Sequence, residues 1–214
     1  MKRYLRCLTA GALLAAGPLL AAGPVVAIVT GPNPPKLEQM AATEVATQLG
    51  ELFGATVKRT DKYQPGDNAV LIGSPKTNPA IAKLMGKKWP KLTGQGHLLK
   101  SVKTQSGTAL VVGGGSPVAT YWAAAELGHH FGVRRLFHAD FQPLVKPKFS
   151  LAGLDLILEP SLKVRAWRTI GASPAGQESW SLADHRLRLR QLAKLKFNQV
   201  VLAFHAWQPF VHFE

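Results

Sequence analysis

Hydrophobic residues fall into two patterns along the chain, short continuous runs and longer stripes at helical spacing. The runs at 24–30, 69–72 and 108–112 are rich in β-branched residues and end at turns with glycine or proline, as buried strands do. Apolar residues recur at helical spacing over 36–53, 80–85 and 117–131. With weaker strands at 55–60 and 97–103, the order up to the third helix is β-α-β-β-α-β-β-α, and a further weak strand follows at 133–137. This order predicts an α/β or α+β fold, a small mixed-sheet domain with helices packed on it.

A shorter unit follows the change of composition at Glu159-Pro160-Ser161. A strand over 164–170, a helix from about Leu182 to Leu195 and a strand over 199–204 make one βαβ unit. Parallel strands in such a unit are buried only when further strands and helices cover both faces. We therefore predict a complete small domain over 24–157 and the opening of a larger, incomplete domain over 158–214.

The N-terminus is typical of a secretory signal peptide over residues 1–22. Three basic residues precede an apolar, alanine-rich stretch at 8–20, and small residues follow at Ala21-Ala22-Gly23. The apolar stretch is too short and too interrupted for a membrane span. We expect export to the periplasm or the extracellular space and no stable membrane insertion. Cys7 is the only cysteine, so the mature chain would have no disulfide.

The charge is strongly basic, with 26 Lys+Arg against 12 Asp+Glu and a formal net charge of +14. A net positive charge of this size attracts polyanions, so a nucleic acid is one partner that the composition suggests. The cations are dispersed, however, in the loop at 87–91, at Arg134-Arg135 and along the late helix at 186–190. A nucleic-acid binder concentrates charge on one stripe and interleaves aromatic residues. We therefore expect no nucleic-acid partner.

Two motifs suggest a cofactor or a metal at first sight. The turn Gly113-Gly114-Gly115-Ser116 joins a strand to a helix, but it lacks the spacing of dinucleotide and Walker loops. We interpret it as a structural turn in which Ser116 is the helix N-cap. His129 and His130 are adjacent and point to different helical faces, unlike paired metal ligands. We expect neither a cofactor nor a metal ion.

Several stretches resemble a known family when they are taken in order. GGGSPVATYWAAAELGHHFGVRRLFHADFQP, over 113–143, is similar to the end of the small N-terminal domain of β-N-acetylhexosaminidases and α-glucuronidases. VLIGSP at 70–75 and EVATQLGELFGATV at 44–57 resemble the same domain. PSLKVRAWRTIG at 160–171 and RLRQLAKLKFNQVVLAFHAW at 188–207 resemble the first strand, first helix and second strand of the catalytic (β/α)8 barrel in those enzymes.

The resemblance implies a glycoside hydrolase truncated at its C-terminus. In those enzymes the catalytic carboxylates come from later barrel strands, beyond the second strand with which this chain ends. Glycosidic hydrolysis usually needs two carboxylates about 5 to 10 Å apart. The spacing in the sequence does not arrange the carboxylates of this chain as such a pair. Those considered are Glu126, Glu178, Asp184 and Glu214. We expect no catalytic residue in this chain and no turnover by it.

Substrate-binding residues follow from the same resemblance, because barrel active sites lie at the carboxyl ends of the strands. Arg168 comes at the end of the first barrel strand, and His205 and Trp207 come at the end of the second. Trp207 would stack on a sugar ring, and Arg168 would bind a hydroxyl or a carboxylate. Packing for Trp207 and a surface position for Arg168 are the alternatives.

The sequence therefore predicts the non-catalytic N-terminal portion of a secreted glycoside hydrolase. Its partner would be a carbohydrate, an amino-sugar or uronic-acid glycan whose O-glycosidic bonds the enzyme cleaves. The alternative is a stand-alone module that binds carbohydrate or acidic glycan. Nothing in the sequence points to an oligomeric state.

Overall fold

The computed structural model describes residues 23–65, 68–105, 107–168, 177 and 180–202. The predicted signal peptide lies outside this part of the chain. The strands are β1 (Val25–Val29), β2 (Thr56–Thr60), β3 (Ala69–Gly73), β4 (His97–Thr104), β5 (Gly107–Gly114), β6 (Arg134–Arg135), β7 (Asp140–Phe141), β8 (Asp155–Leu158), β9 (Ala166–Arg168) and β10 (Gln199–Val201). The α-helices are α1 (Lys36–Phe53), α2 (Pro79–Met85), α3 (Pro117–His130) and α4 (Leu182–Lys194).

Six strands form one mixed sheet in the order β2-β1-β3-β5-β4-β8. β1 pairs in parallel with β2 and β3, and β3 pairs in parallel with β5. β4 is antiparallel to both of its neighbours, β5 and β8. The predicted order of elements and the mixed sheet are therefore confirmed.

Local sequence signals mark the starts of α2 and α3 and the end of α1. Asn78 caps α2 by accepting a hydrogen bond from Ala80 N, and Ser116 caps α3 by accepting one from Ala119 N. Both caps precede a proline at the first helical position, where no amide hydrogen is needed. α1 ends at Gly54, whose φ of 62° lies in the left-handed region.

Two apolar cores lie on opposite faces of the sheet. α1 and α3 cover one face, and Trp122 is the largest side chain buried there. The short helix α2 covers part of the other face through Ile81 and Met85. The domain is thus a three-layer α/β/α structure in which one face of the sheet is more fully covered than the other.

The sequence of α3 predicts an amphipathic helix with one buried face, but in the structure a larger part of the helix surface is buried. Residues 119–125 are all buried, so the helix is covered around most of its circumference. The helix is wedged between the sheet, α1 and the later helix α4. The alanines that weaken the stripe allow this close packing on several sides.

The second predicted unit is present as β9, α4 and β10, and β9 pairs in parallel with β10. β9 begins at Ala166, two residues later than predicted, and Leu202 lies beyond the end of β10, while 169–170 and 203–204 lie outside the described residues. A capping box begins α4, with Ser181 and Asp184 bonded reciprocally. No helix in the described parts of the chain is both long and apolar enough to cross a membrane.

The sequence pattern missed β8, and it overestimated the strand after α3. β8 is a four-residue edge strand that joins the sheet by pairing His97 with Leu158. Its pairing partner lies some sixty positions earlier, which no local pattern reveals. The strand predicted over 133–137 is only the two-residue β6, because the chain turns back at once to pair Arg135 with Asp140 of β7.

Candidate functional site

Arg168 lies at the carboxyl end of β9, beside Val201 of β10 in the parallel register. The side chains of successive strand residues point to opposite faces, so Arg168 and Trp167 lie on opposite sides of the strand pair. Trp167 is the residue on the helix-covered side, and Arg168 is exposed on the other side. This open face corresponds to the interior of a barrel if further strands continue the sheet.

An aromatic cluster fixes the covered side of β9. The Trp167 ring stacks on Phe137 with 4.6 Å between centroids, and it meets Phe197 edge-on at 6.0 Å. The guanidinium of Arg188, from α4, lies 4.8 Å from the centroid of the Phe137 ring. Since Phe137 follows β6, the cluster joins the βαβ unit to the first domain and sets the direction in which Arg168 points.

The other two predicted substrate residues, His205 and Trp207, lie outside the described residues. Of the three, only Arg168 is described, as the last described residue of β9, so their grouping in a cleft stays a prediction.

Arg165 anchors the start of β9 to the first domain. Its guanidinium lies 4.7 Å from the centroid of the Trp122 ring in α3. It donates hydrogen bonds to Gln95 Oε1 (2.6 Å), to Leu162 O (2.7 Å) and to Lys196 O (2.6 Å). One side chain thus connects the loop before β4, the helix α3 and the turn after α4.

A group of ion pairs forms a second attachment between α4 and the first domain. Lys194 Nζ lies 2.7 Å from Asp140 Oδ2 and 3.1 Å from Glu44 Oε2. Arg135 Nη2 lies 3.3 Å from the other oxygen of Glu44. The carboxylates of Glu44 and Asp140 share the ammonium group of Lys194 and are largely buried. This is the environment of a structural ion pair. An acid that protonates a glycosidic oxygen needs a different environment.

The carboxylates that the sequence offered for catalysis have structural partners where they are described. Glu126 pairs with Lys196. Burial alone would raise the pKa of Glu126, but the hydrogen bond and charge of Lys196 lower it. Hydrogen bonds from Ser181 hold the pKa of Asp184 below its usual value. Glu178 and Glu214 lie outside the described residues.

The carboxyl ends of β1 and β3, where open α/β sheets commonly bind ligands, are filled by the chain itself. Asn78 is buried and donates hydrogen bonds to Val29 O and Ile72 O, each at 3.0 Å. Thr77 Oγ1 donates to Glu38 Oε1 at 2.9 Å, and Glu38 is only 1% exposed. Burial raises the pKa of the Glu38 carboxyl, although the Thr77 hydrogen bond lowers it in part. The crevice is closed by this network.

The glycine-rich turn after β5 is structural. A Cβ at Gly113 would lie 2.5 Å from Gly73 O, and one at Gly114 would lie 2.5 Å from Thr120 N. A Cβ at Gly115 would collide with Thr93 O. The close approach of neighbouring backbone at each position explains the three glycines.

His129 and His130 are exposed at the C-terminal end of α3, where a basic residue interacts favourably with the helix dipole. Among the described residues no group of three or more His, Cys, Asp or Glu side chains could hold a metal ion.

Sequence reasoning missed two buried ionisable residues, Glu38 and His97. His97 begins β4, is 1% exposed and meets the Trp122 ring edge-on at 6.2 Å. Burial lowers the pKa of its imidazole, against the opposing effect of the hydrogen bond with Gln95 O. Glu38 could have been noticed as a carboxylate in the first turn of α1. His97 had no such sign, because its neighbours in space are distant in sequence.

Comparison with known proteins gives one family match. Residues 23–127 match the family described as "Glycosyl hydrolase family 67 N-terminus". No curated protein matches the sequence at a significant level.

Two solved structures have a similar fold. One is a family GH115 4-O-methyl-α-glucuronidase with specificity for decorated arabinogalactans, with a TM-score of 0.63 and 15% identity over 86% of this chain and 25% of that chain. The other is CpGH84D, with a TM-score of 0.56 and 13% identity over 84% of this chain and 27% of that chain. This chain therefore spans about a quarter of the length of these proteins. A likeness over 86% of 214 residues is too long to end at residue 157, so it reaches into the βαβ unit.

Proposed function

We propose, from the match of residues 23–127 to the N-terminus of glycosyl hydrolase family 67, that this chain is the non-catalytic N-terminal portion of an exported glycoside hydrolase. The enzyme would cleave O-glycosidic bonds in an amino-sugar or uronic-acid glycan. Residues 1–22 would direct export, residues 24–157 would form the small α/β domain, and residues 158–214 would begin the catalytic (β/α)8 barrel.

The observation that carries the proposal is the parallel β9-α4-β10 unit joined directly to this domain. A parallel strand pair with a single helix needs further strands and helices to cover it. The open face at Arg168 and Val201 is the face that a closed barrel turns inward. A glycoside hydrolase N-terminal region followed by this unit is the arrangement expected where a barrel begins.

Arg168 would then contribute to the sugar cleft as a binding residue, together with His205 and Trp207. A guanidinium at a strand end can donate two parallel hydrogen bonds to a carboxylate or bind sugar hydroxyls. An aromatic face such as that of Trp207 can pack on the apolar side of a sugar ring. The acid and the nucleophile or base would come from barrel strands beyond β10.

The test is hydrolysis by the purified 214-residue protein of a panel of aryl β-N-acetylhexosaminides and aryl α-glucuronides. We expect no turnover above that of an Arg168→Ala, Glu126→Gln double variant. Hydrolysis by the wild-type protein that a substitution within the chain abolishes would contradict the non-catalytic assignment.

A further inference from the structure

The face of the sheet that carries α2 holds a wide groove remote from the βαβ unit. The groove has a volume of about 900 Å³ and lies between the segment after β2, the helix α2 and the end of β4. Its walls include Tyr63, Leu84 and Pro79. Tyr63 and Leu84 are half-buried and pack on the second core, so the floor of the groove is apolar and supported from beneath.

The rim of this groove is cationic. Lys62, Lys83 and Lys103 line it, one from each of the three segments, and all three are exposed. A smaller hollow of about 320 Å³ shares Lys62 and adds Lys58 and Arg59. None of these five cations forms an ion pair with a described residue, and Asp61 is the only acidic residue among the described ones that line either space.

Four of the described acidic residues form ion pairs away from this groove. Glu44, Asp140 and Glu126 pair with cations at the junction with α4, and Asp155 pairs with Lys100 at the sheet edge. The α2 face therefore brings together five cations that do not form one continuous run in the sequence, against one carboxylate among the described lining residues.

We propose that this groove binds an acidic polysaccharide whose sugar rings carry carboxylates. Such a chain presents apolar ring faces alternating with negative charges, which matches an apolar floor bordered by lysines. The volume lies within the range of about 300 to 1,000 Å³ that is usual for ligand sites. A single tyrosine does not provide the series of stacking platforms that a nucleic-acid strand uses. The glycan class rests on the proposed function, whereas the position of the groove does not.

The experiment measures binding of the full 214-residue protein to polygalacturonate by isothermal titration calorimetry at low and moderate salt. Fully methyl-esterified polygalacturonate is the matched neutral polymer. We expect binding to the acidic polymer that weakens as salt rises, and no measurable binding to the ester.

Variants then locate the site. Replacing Lys62, Lys83 and Lys103 together with glutamine should weaken binding by about tenfold or more, since each exposed charge contributes modestly. The control replaces Lys36, Lys146 and Lys148, which are equally exposed and lie outside the groove. It makes the same change in net charge and should alter affinity by less than about twofold. Circular dichroism verifies that both variants are folded.

Equal weakening by both triple variants would overturn the proposal, because it would indicate diffuse attraction without a site. Absence of binding by the wild-type protein, or equal binding of the ester, would also overturn it. If a single-stranded RNA bound more tightly than polygalacturonate and the groove variant weakened that binding, the result would overturn the proposal of a glycan and identify a nucleic acid as the ligand. Hydrolysis of aryl glycosides is measured separately, so failure here and failure of the proposed function are distinguishable.

Discussion

Individual buried polar side chains close the edge of the sheet at which α/β folds usually bind ligands. Asn78 ties the ends of β1 and β3 together while it caps α2. Glu38 is buried beside it with one oxygen bonded to Thr77, while Oε2 has no hydrogen-bond partner among the described residues. A buried carboxylate with an unmatched oxygen is destabilising in its charged form.

This arrangement predicts that Glu38→Gln stabilises the protein at neutral pH. Because the pKa of Glu38 is raised in the folded state, the folded protein holds this proton more tightly than the unfolded chain. The stability of the wild type should fall as the pH rises through the pKa of the folded state, while that of the variant should not share this loss. We expect a gain of about 1 kcal/mol at pH 7 and little difference below the usual pKa of glutamate.

Urea unfolding at pH 4 and pH 7 measures both effects. Glu51→Gln is the control, because Glu51 is exposed on the same helix. Equal stability of wild type and Glu38→Gln at pH 7 would contradict the account of Glu38.

At the scale of single residues, the sequence predicted which residues begin the helices better than it predicted which polar side chains are buried. Ser116 and Asp184 act at helix starts as their local patterns indicate. Arg168 is the last described residue of β9, and its place in a sugar cleft stays a prediction. The burial of Glu38 and His97 depends on contacts between segments far apart in the chain, which local patterns do not contain.

At the scale of elements, the βαβ unit is held to the first domain by polar and aromatic contacts. Arg165 reaches Gln95 and Trp122, and Lys194 reaches Glu44 and Asp140. The apolar faces of this unit are less covered, for Leu182, Leu189 and Leu202 are each more than half exposed. The orientation of β9 therefore depends on a few side chains.

We predict that Arg165→Ala loosens residues 158–202 and leaves the first domain intact. The substitution removes three hydrogen bonds from a charged donor and its contact with the Trp122 ring. Limited proteolysis with chymotrypsin should cut within 158–202 about tenfold faster or more, because local opening becomes more frequent. The main thermal transition should shift little.

Arg168→Ala is the matched control, since Arg168 lies three residues later on the open face. It should be cleaved at the rate of the wild type. Faster cleavage of Arg168→Ala than of Arg165→Ala would show that the anchoring is assigned to the wrong residue.

The order of elements over 25–130 was predictable because strong apolar runs, prolines and glycines mark almost every boundary. β8 and the pairing of β6 with β7 were not, since they are short and depend on partners elsewhere in the chain. Helix α3 was recognised, but its burial on several sides requires knowing that α4 packs against it.

At the scale of the whole molecule, the distribution of the cations in the structure differs from their distribution along the sequence. The cations looked scattered in sequence, yet the structure pairs some of them at the junction with α4 and leaves others around the groove on the α2 face. The six-stranded sheet has a core on each face, with the α2 face only partly covered, whereas β9 and β10 form a two-stranded sheet with free outer edges within the described residues.

Hydrogen exchange of the wild-type protein, followed by mass spectrometry across the chain, tests this division most directly. If residues 158–214 are the opening of a larger barrel attached to a self-sufficient domain, the amides of β1, β3 and β5 should exchange slowly. Those of β9 and β10 should exchange much faster, because within the described residues their outer edges are unpaired and the face that carries Arg168 is exposed. Uniformly slow exchange across both parts would contradict the account.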